Sequence, residues 1–235
     1  MSELISFRES FTNELVKPNI DLAIDYSELA IDAIIEDGIL KDIPIISTLI
    51  SLGKIGITIR NIHFSKKILC FLSQFHRNGQ EQGVQTQKTS KILDKIKNDE
   101  KYRRKVIDHL LIMIDRYLTE QKAVRLARLF KQFVEDKFDW DTFVYFSVCL
   151  DSMHDLDFDL LDFLLTRSSA VVEQISIPCF DKYLLLSSVE RLKSFGFVGT
   201  DEPTWVNIGD DFKKKIFLSS LGTIFAKGCI SSAIN

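Results

Sequence analysis

Three aspartates at alternating positions, Asp155, Asp157 and Asp159, carry the spacing of a calcium loop, whose carboxylates converge on a hard cation. Such a loop also needs a glycine at its sixth position and a bidentate glutamate at its twelfth. Leu160 and Thr166 stand there instead. The three acids therefore read as the opening of a helix, where carboxylates complement the positive end of the helix dipole. Gly53-Lys54 lacks the upstream glycine and the following Ser or Thr of a phosphate-binding loop, and no Gly-x-Gly-x-x-Gly motif occurs. His63, His76, His109 and His154 share no acid partner by spacing, and Cys70, Cys149, Cys179 and Cys229 have neither zinc-site nor disulfide spacing. The chain reads as non-enzymatic, with no metal and no cofactor.

Cations offer a different chemistry. Lys88, Lys91, Lys95, Lys97, Lys101, Arg103, Arg104 and Lys105 form a basic run diluted by Asp94, Asp99 and Glu100. Lys91, Lys95, Arg103 and Arg104 are the residues expected to make contacts, and two partners reward such a cluster: nucleic-acid phosphates and anionic lipid head groups. The plainest reading of such a run is a solvated helix face.

The elements that would position these groups follow from composition and period. With 235 residues, 46% of them apolar, and a mean hydropathy of +0.05, the chain holds enough apolar surface for a sizeable core. The net charge of −3 hides an uneven distribution. Residues 1–59 hold ten Asp/Glu against four Lys/Arg, residues 60–117 six against thirteen, and residues 151–235 twelve against eight.

Helical periodicity predicts a mainly α protein. A first helix covers residues 2–16, stopped by Lys17-Pro18, and an acidic helix runs from Asn19 to Glu36. A basic continuation reaches Phe75, and residues 78–90 form a polar linker. Two helices break near Asn98-Asp99, another covers Thr119 to Lys137, and a further one starts at Asp139 or Asp141. After the acidic cluster, LDFLLTRSSAVVEQI continues as helix toward Pro178. In YLLLSSVERLKSFGFV, Leu185, Val189, Leu192 and Phe195 share one helical face that ends at Gly196. Phe197-Val198 and Trp205 to Ile208 flank a polar turn, so a helix followed by a hairpin outlines a winged-helix module. The expected organisation is residues 1–78 as acidic N-terminal helices and an apolar helix, 79–90 as linker, 91–170 as helical bundle, 171–212 as the winged-helix-like module and 213–235 as an apolar C-terminal helix.

Two apolar runs carry the functional expectation. Ile43 to Ile59 is broken only by Lys54, with Gly53 and Gly56 as small residues suited to close helix packing in lipid. Ile216 to Ile234 repeats that composition with Lys227 as its one charge. Arg60, Lys66 and Lys67 follow the first run and Lys213 to Lys215 precede the second, so the positive-inside rule gives both the same topology, with the middle of the chain in the cytoplasm. As membrane-active helices, the runs would turn Lys54 and Lys227 toward a bundle interior or a water-filled lumen.

The segment RLKSFGFV, followed by a hairpin and WVNIGDDFKKKIF, resembles the C-terminal pattern of bacterial helical proteins of abortive-infection type. Two apolar runs flanking a helical body are similar in architecture to the membrane-acting effectors encoded beside bacterial retrons and other phage-defence systems. The resemblance implies a toxin-like effector that perturbs the bacterial inner membrane when a sensor or inhibitor protein releases it, contacting anionic lipid and acting as a homo-oligomer. The alternative is a cytoplasmic, all-helical regulatory protein whose winged-helix module meets nucleic acid or a protein partner.

Overall fold

The structure is a computed structural model that describes residues 2–17, 45, 47–48, 59–77, 91–177, 181–201 and 213–230. The protein is mainly helical with a small three-stranded antiparallel sheet. The chain divides into two compact units, residues 1–147 and 148–235.

In the first unit, helices α1 (Ser2–Val16), α2 (Ile59–Arg77), α3 (Lys91–Asn98), α4 (Glu100–Arg116) and α5 (Glu120–Val134) precede α6 (Trp140–Ser152), which crosses the division. Local sequence explains several ends. The Asp99 carboxylate accepts the Tyr102 N–H at 3.0 Å and opens α4, so the expected break at Asn98-Asp99 is present. Asp139 accepts the Thr142 N–H at 2.9 Å and opens α6; the bonds from Thr142 hold its carboxyl below the usual aspartate range.

Rings fill this unit. Phe11 of α1 meets Phe71 of α2 at 6.0 Å between centroids, Phe71 meets Phe130 of α5 at 6.1 Å, and Phe130 meets Phe143 of α6 at 5.5 Å. Phe11, Phe71, Phe130 and Phe143 are fully buried. Tilted and edge-on ring pairs contribute about 0.5–1.5 kcal/mol each beyond area burial. Two polar links between helices are specific. Arg8 of α1 grips Asp108 of α4 through two nitrogens, and buried Lys67 of α2 donates to the Asp115 and Tyr117 carbonyls at 2.9 and 2.7 Å. Those oxygens are the unsatisfied acceptors at the end of α4, so a cation there also complements the helix dipole. Burial lowers the Lys67 pKa, with Asp115 opposing the shift.

The second unit contains α7 (Asp155–Arg167), β1 (Ser169–Val171), a 3₁₀ turn (Val172–Gln174), α8 (Lys182–Ser194), β2 (Val198–Asp201), β3 (Lys215–Leu218) and α9 (Ser220–Cys229). The sheet order is β1-β3-β2, with Ala170 opposite Ile216 and Gly199 opposite Phe217. Gly199 lies directly under the Phe217 ring, which any Cβ would strike. α8 ends in a Schellman motif: Gly196 adopts φ +68°, its N–H reaches the Lys193 carbonyl at 2.8 Å, and the Phe197 N–H reaches that of Leu192 at 2.9 Å. The predicted stop at Gly196 is thus present.

Three expectations are corrected here. LDFLLTRSSAVVEQI is not one helix: α7 ends at Arg167, Ser168 takes φ 61°, and Ser169–Val171 becomes an edge strand paired with β3. The hairpin partner of β2 is β3 at 215–218; Trp205 to Ile208 lies outside the described residues. Residues 213–235 do not form one apolar helix. Ile216 is the fully buried centre of β3, the strand ends at Leu218, and Ser219 caps a separate ten-residue α9 by accepting the Gly222 N–H at 2.9 Å. The apolar character of this run serves the sheet and the packing of α9, where Phe225 stacks on Phe197 with centroids 4.3 Å apart. Among the described residues, no helix is long and apolar enough to cross a membrane.

Candidate functional site

The outward face of α8 is built from its buried one. Asp157, in the first turn of α7, is completely buried. Its carboxylate accepts the His154 N–H at 2.7 Å, the Ser188 hydroxyl, and the Arg191 Nε and Nη2 at 2.8 and 3.1 Å. Ser188 and Arg191 are three residues apart on α8, so both point the same way. A charge removed from water needs such complete pairing; an unpaired one would shift protonation or break the packing. Asp181 fixes the start of the helix by accepting the Tyr183 N–H at 2.7 Å.

With Leu185, Ser188, Val189 and Leu192 committed to the interior, the opposite side presents Tyr183, Ser187, Glu190 and Ser194 at helical spacing. Tyr183 and Leu184 stand 65% and 55% exposed, an apolar step at the head of the helix. The charges beside it are mutually engaged: Lys193 meets Glu190 at 3.2 Å, and the Lys182 ammonium lies 5.7 Å from the centre of the Tyr183 ring. The described residues from 148 onward hold nine Asp/Glu and eight Lys/Arg. Such a face suits an aromatic-anchored contact better than a phosphate contact.

The acids singled out by spacing do not assemble a site. Asp157 is consumed by the clamp, Asp155 and Asp159 are exposed, and among the described residues no group of three or more His, Cys, Asp or Glu could hold a metal. The histidines go to separate partners. His63 lies 3.5 Å from Glu120, and the His76 ring donates to the Glu14 carbonyl at 3.0 Å. The His109 Nε2 sits 2.8 Å from the Ser147 hydroxyl oxygen. A nucleophile–base pair would need that serine to donate to the imidazole. Ser147 instead donates to the Val144 carbonyl at 2.7 Å and is fully buried, so His109 is the donor and the pair is structural. Burial lowers the pKa of both His76 and His109. Cys70, Cys149 and Cys229 are buried free thiols.

Of the residues expected to act in a membrane, Ile43, Gly53, Lys54 and Gly56 lie outside the described residues, and Ile59 begins α2. Ile216 is in β3, and Lys227 is exposed on α9. Lys91 and Lys95 lie on α3 and Arg103 and Arg104 on α4, on either side of the α3–α4 corner, all exposed except half-buried Arg103.

Sequence periodicity overlooked the Tyr183–Leu184 step. Its signal was the unbroken apolar run Tyr183 to Leu186, because one helix face buries only part of four consecutive apolar residues. No protein family, curated protein or solved structure matches the chain.

Proposed function

We propose that this chain is a regulatory interaction protein whose second unit is a winged-helix-type module that docks a protein partner through the head of α8. The support is topological and chemical. A helix, an edge strand, a second helix and an antiparallel strand pair, with the last strand between the other two, supports a winged-helix-type reading, in which α8 would take the place of the recognition helix. The observation that carries the choice of a protein partner is the exposed Tyr183–Leu184 pair on a face with balanced charge. Aromatic anchors that lose water on contact dominate protein interfaces, whereas duplex readers concentrate cations on this helix.

The membrane-effector reading drew its strength from two apolar runs with concordant flanking charge. With residues 216–229 divided between a sheet strand and a short helix, that reading rests on residues 43–59 alone.

The test replaces Tyr183 with a photo-crosslinking benzoylphenylalanine in the full chain expressed in bacterial cells. A discrete protein adduct that disappears in a Leu184→Glu background is the expected result. Crosslinking to lipid, or an adduct indifferent to Leu184→Glu, contradicts the reading.

A further inference from the structure

We propose that the α3–α4 corner of the first unit is a sequence-independent contact for the phosphate backbone of duplex nucleic acid, separate from the α8 face. Between Lys91 and Lys105 the chain places seven Lys/Arg against three Asp/Glu. Of the acids, Asp99 is engaged as the cap of α4, and Glu100 sits in the first turn of that helix, where its charge answers the dipole. Among the described residues, Lys91, Lys95, Lys97, Lys101 and Lys105 pair with no carboxylate, and each is exposed. Arg104 reaches Asp108 only at 3.7 Å, and that acid is already held by Arg8. The corner therefore keeps a surplus of positive charge facing water.

Its internal contacts order that charge. The Lys95 ammonium lies 4.3 Å over the Tyr102 ring, Lys105 lies 5.1 Å over Trp140, and the Arg103 guanidinium donates to the Lys97 carbonyl at 3.0 Å where α3 ends. Tyr102 and Trp140 are partly buried and serve as platforms for cations, so they offer no open faces for stacking unpaired bases. That points to phosphates rather than bases, and so to indifference to sequence.

A second polyanion, the anionic bilayer surface, rewards the same charges. Peripheral helices that hold to bilayers place large apolar side chains beside their cations. Among the described residues, no large apolar side chain between Lys91 and Lys105 is exposed. Charge also distinguishes this unit: its described residues hold nineteen Lys/Arg against thirteen Asp/Glu.

The experiment measures fluorescence anisotropy of two unrelated duplexes of about 20 base pairs with the full chain, across about 50 to 200 mM KCl, beside sedimentation with phosphatidylglycerol vesicles. Equal affinity for both duplexes and a log–log salt slope of about −4, as for four to five phosphate contacts, is expected. Lys97→Glu with Lys101→Glu should weaken binding at least about tenfold and make the slope shallower by about two, with Lys97→Gln and Lys101→Gln giving a smaller loss in the same direction. Lys227→Glu, an exposed cation of the second unit, should change neither. Absent duplex binding, affinity that depends on sequence, insensitivity to the paired variants at unchanged circular dichroism, or binding to vesicles without binding to duplex would overturn the proposal.

Discussion

The two units are held together by different means. The first packs a chain of phenylalanine rings from α1 through α2 and α5 to α6, where shape has latitude because each contact is apolar and replaceable in kind. The second relies on directional features: a buried aspartate with four donors, a Schellman turn at Gly196, and a glycine pressed against backbone. Filling volume tolerates substitution. Satisfying a buried charge or a backbone approach does not, and the unit built that way is also the one that presents a defined outward helix face.

The largest expected effects come from deleting the centre of each. Phe130→Ala and Asp157→Ala should each cost about 3–5 kcal/mol in chemical denaturation, the first through a cavity and the second by stranding Arg191 and Ser188. The contrast sharpens with conservative changes. Phe130→Leu should cost about 1–2 kcal/mol, less than half the alanine penalty, whereas Asp157→Asn should approach the loss of Asp157→Ala because a neutral amide cannot match the guanidinium. Equal tolerance at the two positions would break the comparison.

Gly222 tests the backbone approach. A Cβ there would stand 2.0 Å from the Phe197 carbonyl oxygen, an atom that cannot swing away. Gly222→Ala should cost about 1–3 kcal/mol and raise amide exchange in α9 before it affects α4 or α5.

A smaller effect belongs to the first unit and depends on pH. His76 and His109 have folded-state pKa values below the usual histidine value, with burial as the leading cause. The unfolded chain therefore binds protons more readily, and their contribution is fully present above about pH 6.5 and lost as pH falls through the folded-state values. Melting temperature should drop between neutral pH and about pH 5, and His76→Gln with His109→Gln should flatten that part of the profile. The smallest change is Arg60→Ala, which removes an ion pair to Asp115 that is 80% exposed on the arginine side and should alter stability by less than about 0.5 kcal/mol at moderate salt.

What was legible in the sequence follows the range of the interaction. Gly196, Asp99 and Asp139 act on their own helices within a few residues, so the ends they set could be read directly. β1 could not, because three residues after α7 become a strand only when Ile216, 46 positions beyond Ala170, supplies the pairing edge. The C-terminal run misled because hydropathy averaged over residues 216–234 conceals the break at Leu218-Ser219, although Ser219 is itself a typical cap residue. The helix start read from Asp155, Asp157 and Asp159 is present as the opening of α7, but the Asp157–Arg191 clamp spans 34 residues and leaves no local trace, so the burial and partners of Asp157 required the fold. The basic corner was visible as a run of cations; that Lys95 and Lys105 lie over aromatic rings required the fold.

The account turns on residues 215–229 belonging to the folded second unit. Hydrogen–deuterium exchange of the full chain in water, without detergent or lipid, reads this directly. Slow exchange at the paired β3 amides and through α9, unchanged on adding phosphatidylglycerol vesicles, is the predicted result. Rapid exchange across the whole segment in water, with protection appearing only when vesicles are added, would contradict it.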